Sequence, residues 1–235
     1  VAPGRRVVIA GNGPLNFQLA ASLVAKGVEV AAIAEASPRP GVRQWQAAFQ
    51  ATLSAPDLIA AGVGYLWRLR QANVPILWAH VAVGAHGDRC VESVDLAPID
   101  AAGRPQSGQA TTIACDALCL GYGFIASAEI ARALGCRMAI DERHLGTAAV
   151  ATDADGWTSI ANVFAVGDGA RVAGARVALE RGQLAGDAAA RGLVESAAAG
   201  TDTRSETNAA RRRLKRAETF QQALWQLFPA PPTRL

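Results

Sequence analysis

A glycine-containing turn near the start of the chain has the residue types that bind a pyrophosphate. Gly11-Asn12-Gly13 follows a predicted strand, and Pro14 and Leu15 begin an apolar-periodic helix. The first glycine permits a tight turn and the second lets a phosphate approach the backbone, while the start of the helix supplies free N–H groups. These five residues form the first candidate binding site, and they indicate a dinucleotide ligand.

Two nearby residues determine how closely this turn matches a dinucleotide-binding turn. The third small position, usually Gly or Ala, is Asn16, which departs from the pattern that brings helix and strand into close contact. Glu35 ends the next predicted strand, where a carboxylate can accept both ribose hydroxyls of an adenosine and repel a 2′-phosphate. The pattern therefore favours NAD over NADP, although Arg39 and Arg43 follow closely. The alternative is a doubly wound domain whose glycine turn is only structural.

A second glycine turn stands late in the chain. A strand expected at Val163 to Val166 leads into Gly167-Asp168, and small residues including Gly174 and Ala175 then open an alanine-rich helix. A short apolar strand, a Gly-Asp pair and a small-residue helix are hard to explain as generic core. These four residues are the second candidate cofactor site, and the alternative is an ordinary turn at a strand end.

The elements that must position the first turn form a βαβ opening. Strands are predicted at Arg5 to Ala10 and Val28 to Ala34, with a helix from about Pro14 to Lys26 between them. The second strand is continuously apolar, as in a sheet that is covered on both faces. One or two helices follow within Gln44 to Asn73.

The rest of the chain alternates short strands with helices. Val74 to Asp100 and a strand at Thr111 to Leu120 predict a three-stranded meander, after which Gly121 and Gly123 are further cofactor-site candidates. Helices are then predicted over three segments: Ser127 to Leu134, Ala173 to Arg191 and Arg204 to Phe228. The last is expected to dock on the body or on a partner through Leu214, Leu224, Trp225, Leu227 and Phe228, or else to be solvated.

Composition excludes several classes of function. The 23 basic and 20 acidic residues nearly balance, and the positive excess lies within residues 204–216, so nucleic acid is not an expected partner. The apolar stretches, such as Val28 to Ala34, are too short for a membrane span, and no signal-peptide pattern opens the chain. We therefore expect a soluble, cytoplasmic protein.

The cysteines and histidines do not suggest a metal site. None of the four cysteines forms a C-x-x-C pair, and Cys115 and Cys119 flank a predicted buried strand, as reduced core residues would. The three histidines, His80, His86 and His144, are scattered without metal-ligand spacing. We expect no bound metal.

Three segments resemble the pyridine-nucleotide–disulphide oxidoreductase superfamily: GNGPLNFQLAASLVAKGVEVAAIAEAS, CDALCLGYGFIASAEIARALGC and TSIANVFAVGDGARVAGARVALERGQLAG. They look most like the flavoprotein subunits of hydrogen cyanide synthase, opine oxidase and dye-linked proline or hydroxyproline dehydrogenases. The resemblance implies FAD and NAD as cofactors. It also implies that Asp168 contacts the ribityl or pyrophosphate oxygens of FAD, and that the helix after it points its positive end at the flavin.

The resemblance also implies a domain organisation. Residues 1–123 would be the NAD(P)-binding domain, 124–192 the returning segment of an FAD-binding domain, and 193–235 a C-terminal helical extension. The expected fold is α/β: a Rossmann-like three-layer nucleotide-binding domain with a β-meander, plus part of a second α/β domain and a C-terminal helix. A complete member carries an earlier FAD fingerprint and often an iron–sulfur domain, so we expect a fragment that binds NAD(H) but holds FAD weakly on its own.

The function implied is hydride transfer between a nicotinamide and FAD, in a subunit of an amine or imino-acid (opine or proline-type) dehydrogenase complex with a second oxidase or dehydrogenase subunit. No side chain is a convincing acid or base, although Glu180 and Tyr122 are candidates. Thioredoxin-reductase-like chemistry is not expected, because Val42 to Gly121 lacks a C-x-x-C pair. The alternatives are a non-catalytic subunit that holds a structural or regulatory nucleotide, and a single-dinucleotide protein in which Gly11 to Gly13 binds FAD.

Overall fold

The chain forms two compact units in a computed structural model that describes residues 3–141, 147–193 and 201–231. The first unit comprises Val1–Gly123 with Ala223–Leu235, and the second comprises Phe124–Gln222. The expected boundaries of the domains stay a prediction; the described residues from Ala223 onwards are grouped with the first unit. His144 lies outside the described residues, as do 194–200 and 232–235 of the expected extension.

The first unit is built on a four-stranded parallel sheet with an antiparallel meander beside it. The elements are, in chain order, β1 (Arg6–Gly11), α1 (Pro14–Ala25), β2 (Glu29–Glu35), α2 (Trp45–Ser54), α3 (Pro56–Gln71), β3 (Ile76–Trp78), β4 (His80–His86), β5 (Ser93–Pro98), β6 (Thr111–Ala114) and β7 (Ala117–Gly121). The sheet has the order β3-β2-β1-β7 and the meander the order β4-β5-β6.

The two central strands of the sheet, β1 and β2, are buried on both faces, which explains why they are almost continuously apolar. Alternate residues point to opposite faces of a strand, so Val7 and Ile9 of β1 pack in one cluster with Phe17 of α1. Val8 and Ala10 pack in a second cluster with residues of the meander. Helices, sheet and meander therefore make three layers, and the expected α/β fold is confirmed.

Helix α1 begins and ends where its sequence signals predict. Pro14 occupies its first turn, where the missing N–H would have no partner inside the helix. Gly27 follows its end with a φ of 76°, a conformation that favours glycine. The N–H groups of Gly27 and Val28 donate to the carbonyls of Val24 and Leu23, at 3.0 and 3.1 Å. The turn between α1 and β2 is thereby closed.

The prediction of one strand from Thr111 to Leu120 was wrong, because the chain changes layer in its middle. Strand β6 pairs with the meander and β7 with β1 of the parallel sheet, with Asp116 between them. The Asp116 carboxylate accepts hydrogen bonds from the backbone N–H groups of Arg5 and Arg6, at 2.8 and 2.9 Å. These bonds fix the crossing point at the start of β1.

We expect Asp116→Ala to lower the thermal unfolding midpoint of the chain at neutral pH. Hydrogen bonds from Arg6 and Arg5 lower the pKa of the Asp116 carboxyl, so its stabilising contribution is present above the ordinary pKa and disappears as the pH falls through the lowered pKa. Melting curves of wild type and variant should therefore converge in acid. Asp88→Ala, at an exposed aspartate of the same unit, is the control. An equal loss of stability at every pH would argue against this role of the carboxylate.

Helix α3 anchors the helical layer through Leu69, which is completely buried against the sheet. Truncation of a fully buried leucine costs about 2–5 kcal/mol, so Leu69→Ala should reduce the free energy of unfolding by that amount in denaturant titrations. Leu66, on the same helix, is 43% exposed. Leu66→Ala is the matched control, and an equal cost for both variants would contradict the packing of Leu69 against the sheet.

The second unit combines helices with a two-stranded antiparallel ladder. Its elements are α4 (Glu129–Ala133), β8 (Met138–Asp141), β9 (Thr147–Val150), α5 (Ala175–Leu193) and α6 (Thr201–Leu227), whose last residues belong to the first unit. Strand β8 pairs with β9. Among the described residues, every helix is too short or too polar to span a lipid bilayer.

The strand expected at Val163 to Val166 is reduced to a single bridge between Phe164 and Trp157, whose ring centroids lie 4.0 Å apart. The N–H of Ala165 donates to the carbonyl of Gly156 at 2.9 Å. The pairing ends at this bridge, and neither of the two segments forms a strand. The apolar pattern was therefore recognised correctly but assigned to the wrong kind of structure.

Helix α6 packs on the body of the second unit, and its arginine run is partly ion-paired. Arg213 Nε donates to Glu180 Oε1 at 2.8 Å, and Glu218 accepts a hydrogen bond from Arg181 of α5, also at 2.8 Å. The fully buried residues of α6 are mostly small, and the predicted apolar positions are only half-buried. The buried residues described in α6 are Thr207, Ala210, Phe220 and Ala223.

Candidate nucleotide-binding sites

The first candidate site lies at the carboxyl edge of the parallel sheet, where β1 ends. A side chain at Gly11 would collide with the carbonyl of Gly121, the last residue of β7, and with the amide of Asn16. The N–H of Asn12 donates to that same carbonyl at 2.9 Å. Close contact between neighbouring strand ends therefore requires glycine at position 11.

Gly13 is buried and its N–H is bonded to Glu35, but the space beside its Cα is empty. Its φ is 102°, and a Cβ built there meets no atom within 4 Å. Pro14 and Leu15, at the start of α1, are exposed. A phosphate group can thus approach the turn and the N-terminus of α1 without meeting a side chain of Gly13.

Asn16 occupies the place of the usual third glycine and has a definite structural role. The residue is 4% exposed, and its Nδ2 donates to the carbonyl of Gly121 at 3.2 Å. A Cβ at Gly121 would collide with Asn16 Oδ1. The hydrogen bond from Asn16 to Gly121 therefore links α1 to the end of β7, whereas a glycine at position 16 would allow only close backbone packing.

Glu35 is completely buried at the end of β2, with its carboxylate directed at the glycine turn. Its oxygens accept hydrogen bonds from Gly13 N at 2.9 Å and Asn12 Nδ2 at 3.1 Å. Ser37 donates to Glu35 Oε1 through its N at 2.9 Å and its Oγ at 2.6 Å. Burial raises the pKa of Glu35, while the hydrogen bonds from Ser37, Gly13 and Asn12 lower it. Sequence reasoning missed Ser37, whose only signal is its place two residues beyond the strand-end acid.

Gly121 and Gly123 flank Tyr122, which joins the turn after β7 to the meander. The Tyr122 hydroxyl accepts a hydrogen bond from the N–H of Ala82 at 3.2 Å. Burial raises the pKa of Tyr122, and the charge of Glu35 raises it further. This phenol therefore stays protonated at neutral pH. Glu180, the other acid–base candidate, lies in the second unit and is paired with Arg213.

The C-terminal residues of the first unit reach the same edge of the sheet. The ring of Phe228 lies 5.9 Å from that of Phe17 and 6.3 Å from that of Trp78, measured between centroids. The Pro229 carbonyl lies 3.5 Å from Asn12 Nδ2. Sequence reasoning assigned Phe228 to the apolar face of a helix, and nothing in the local pattern indicated these distant contacts.

The second candidate site belongs to the second unit, in which the turn that holds Gly167 and Asp168 packs against the helix that follows Gly174 and Ala175. Gly167, with a φ of 61°, opens a 3-10 turn (Gly167–Gly169) that packs against α5. Asp168 is exposed, and its backbone carbonyl accepts a hydrogen bond from the N–H of Ser127 at 2.9 Å. Gly174, with a φ of 88°, immediately precedes Ala175, the first residue of α5.

Both arrangements fit the groups that the sequence predicts. The glycine turn leaves free space beside Gly13 for a pyrophosphate, and Glu35 places a carboxylate at the end of β2, where it is covered by its own hydrogen-bond donors. The second turn offers an exposed carboxylate beside the start of a long helix. Within the described residues, no group of three or more His, Cys, Asp or Glu side chains is placed to hold a metal ion.

Comparison with known proteins places these turns in a family. The family model of the pyridine nucleotide-disulphide oxidoreductases matches residues 2–192. An opine oxidase subunit of Agrobacterium tumefaciens is 30% identical over 235 residues, which cover 97% of this chain and 44% of that protein. The hydrogen cyanide synthase subunit HcnB of Pseudomonas protegens is 28% identical over 187 residues, covering 79% of this chain and 38% of that protein. The chain thus spans less than half the length of these relatives.

Solved structures support the same fold. An FAD-dependent pyridine nucleotide-disulphide oxidoreductase from Desulfovibrio vulgaris matches with a TM-score of 0.52 and 17% identity, covering 80% of this chain and 43% of that one. The family comprises flavin-dependent oxidoreductases that bind FAD and NAD(P). The resemblance seen in the sequence is confirmed: this chain belongs to the pyridine nucleotide-disulphide oxidoreductase family.

Proposed function

We propose that the first unit binds NAD(H) and that the second contributes to an FAD site, so that hydride passes between nicotinamide and flavin. The observation that carries this proposal is the Glu35–Gly13 pair, in which a strand-end carboxylate is hydrogen-bonded to the N–H of a glycine that has free space beside its Cα. In a nucleotide site, that carboxylate binds ribose hydroxyls while the turn faces the pyrophosphate. The residues assigned to NAD(H) are Gly11, Asn12, Gly13, Pro14, Leu15, Glu35, Gly121 and Gly123.

The flavin side of the proposal depends on Gly167, Asp168, Gly174 and Ala175. When bound, FAD supplies a ring that accepts or donates the hydride. The exposed Asp168 carboxylate would accept a hydrogen bond from a ribityl hydroxyl of FAD, and the N-terminus of α5 would favour negative charge on the cofactor. No side chain of the first site is suited to proton transfer, since Tyr122 has a raised pKa and Glu35 is buried beneath its hydrogen-bond donors. The chain's residues would therefore bind and orient the cofactors, and the cofactors would carry out the redox step.

The proposed setting is a heteromeric dehydrogenase or oxidase that acts on an amine or imino acid. Support comes from the relatives, which are named as subunits of hydrogen cyanide synthase and opine oxidase. A second oxidase or dehydrogenase subunit would then be the partner, and the cytoplasm the proposed location. Residues 1–123 would be the nicotinamide domain, 124–192 the returning flavin segment and 193–235 the helical extension.

Anaerobic mixing of the full-length flavoprotein with NADH tests the proposal. We expect the visible absorbance of the flavin to fall as the hydride arrives, and the loss to be slower with NADPH. In parallel, calorimetry should detect NADH binding. Binding without any flavin reduction would support the alternative of a non-catalytic nucleotide-holding subunit and overturn the hydride-transfer proposal.

A further inference from the structure

The C-terminal residues of the first unit lie across the edge of the sheet at which the candidate nucleotide site stands. Trp78 is the last residue of β3, and Phe17 lies in the first turn of α1. Phe228 contacts both rings, at centroid distances of 6.3 and 5.9 Å. Its N–H donates to the carbonyl of Leu224 at 2.9 Å, which continues α6 up to the contact. Phe228 therefore anchors the chain beside the site, and Pro229, which follows it, lies next to the glycine turn.

Beyond this anchor the backbone meets the side chain that partners Glu35. The Pro229 carbonyl lies 3.5 Å from Asn12 Nδ2. The same Asn12 nitrogen lies 3.1 Å from Glu35 Oε1 and 2.7 Å from Ser37 Oγ. The C-terminal residues thus join the hydrogen-bond network that surrounds the acid.

This network leaves no surface of the acid open to a ribose. Glu35 and Ser37 are both 0% exposed. Oε1 accepts bonds from Asn12 and Ser37, and Oε2 accepts a bond from the N–H of Gly13, so both oxygens face protein donors. A ribose hydroxyl can take the place of these donors only after Asn12 turns away or the residues near it move.

We propose that residues 228–231 form a strap that closes the adenosine end of the site, and that an adenine dinucleotide binds only when the strap is displaced. The inference rests on the proposed function, since it concerns the same nucleotide site. The closed strap lowers the apparent affinity by the fraction of molecules in which the site is open. Because Phe228 holds the strap through its contacts with Phe17 and Trp78, loosening this ring should increase the open fraction.

The test compares NADH binding by the wild-type chain and Phe228→Ala in calorimetry. Phe228→Ala should bind about tenfold more tightly, as the open fraction rises by that factor. Phe228→Leu, which keeps an apolar side chain, should show a smaller gain. Phe49→Ala is the control, because Phe49 is 57% exposed on α2; its affinity should equal that of the wild type. Thermal melts verify that each variant is folded.

Amide exchange gives a second measurement that does not depend on a stable Phe228→Ala variant. In the wild-type chain, saturating NADH should speed exchange of the Phe228 amide as the strap leaves. The strap proposal is wrong if NADH leaves this exchange unchanged or slows it. It is also wrong if Phe228→Ala binds NADH no more tightly than the wild type. If neither protein binds NADH, the strap and the proposed function both fail. If Phe228→Ala binds NADH more tightly but NADH does not reduce the flavin of the full-length enzyme, only the proposed hydride transfer is contradicted.

Discussion

Gly13→Val should abolish measurable NAD(H) binding while the chain remains folded. Gly13 has a φ of 102°, a conformation that a β-branched residue adopts only with strain. The valine side chain would also enter the open space through which we expect the pyrophosphate to approach. Loss of the phosphate contacts with the turn should weaken binding by more than about a hundredfold, as removal of one or two charge-assisted hydrogen bonds would. Calorimetry with NADH measures the effect, and circular dichroism checks the fold.

The matched control for this variant is Gly27→Val. Gly27 also has a positive φ, 76°, and a Cβ there also meets no atom within 4 Å. It lies beyond the opposite end of α1, so the substitution adds comparable backbone strain far from the glycine turn. Gly27→Val should lose stability but keep its nucleotide affinity. Equal binding by wild type and Gly13→Val would remove this turn from the candidate site.

Glu35 should determine both affinity and cofactor choice. Glu35→Ala removes the proposed acceptor of two ribose hydrogen bonds and should weaken NADH binding by about ten- to a hundredfold, since each bond to a charged group contributes about 1.5–3 kcal/mol and water replaces part of it. Glu35→Arg should reduce the preference for NADH over NADPH, because the repulsion of a 2′-phosphate is gone. Titrations with NADH and with NADPH give the two dissociation constants from which affinity and preference are compared.

Two further variants isolate what the carboxylate does. Glu29 lies at the other end of β2 and pairs with Arg6, so Glu29→Ala changes the charge of the strand without touching the site. The cofactor preference of this variant should match that of the wild type.

Burial raises the pKa of Glu35, so the free energy of unfolding should fall as the pH rises from the ordinary pKa through the raised one. Glu35→Gln should lack this fall. A variant Glu35→Arg that keeps the wild-type preference would assign cofactor choice to another residue.

The first unit could be predicted largely from local patterns. Strands covered on both faces are continuously apolar, and α1 carries a proline at its start and a glycine beyond its end. Those signals lie within the elements that they define. The break at Asp116 could not be found in this way, because its carboxylate bonds to Arg5 and Arg6, more than a hundred residues earlier.

The candidate site shows the same division. Gly11, Gly13 and Glu35 follow from the order of strand, turn, helix and strand, although their roles as ligands of a nucleotide stay a prediction. Ser37 is a short-range partner that no motif demands, and it was missed. The contact of Phe228 with Phe17 joins opposite ends of the chain. Hydrophobic periodicity assigns such a residue to a helix face but carries no information about which distant ring it meets.

The hydrogen bond between Asn16 and Gly121 has a consequence for how this sequence can change over time. The two positions are 105 residues apart, yet each restricts the other. Any side chain at 121 collides with the amide at 16, whereas a smaller residue at 16 would remove that obstacle. Gly121→Ala should therefore be damaging alone and milder in an Asn16→Ala background. In sequences that descend from this one, positions 16 and 121 should therefore change together, because a substitution at one is tolerated only with a matching substitution at the other.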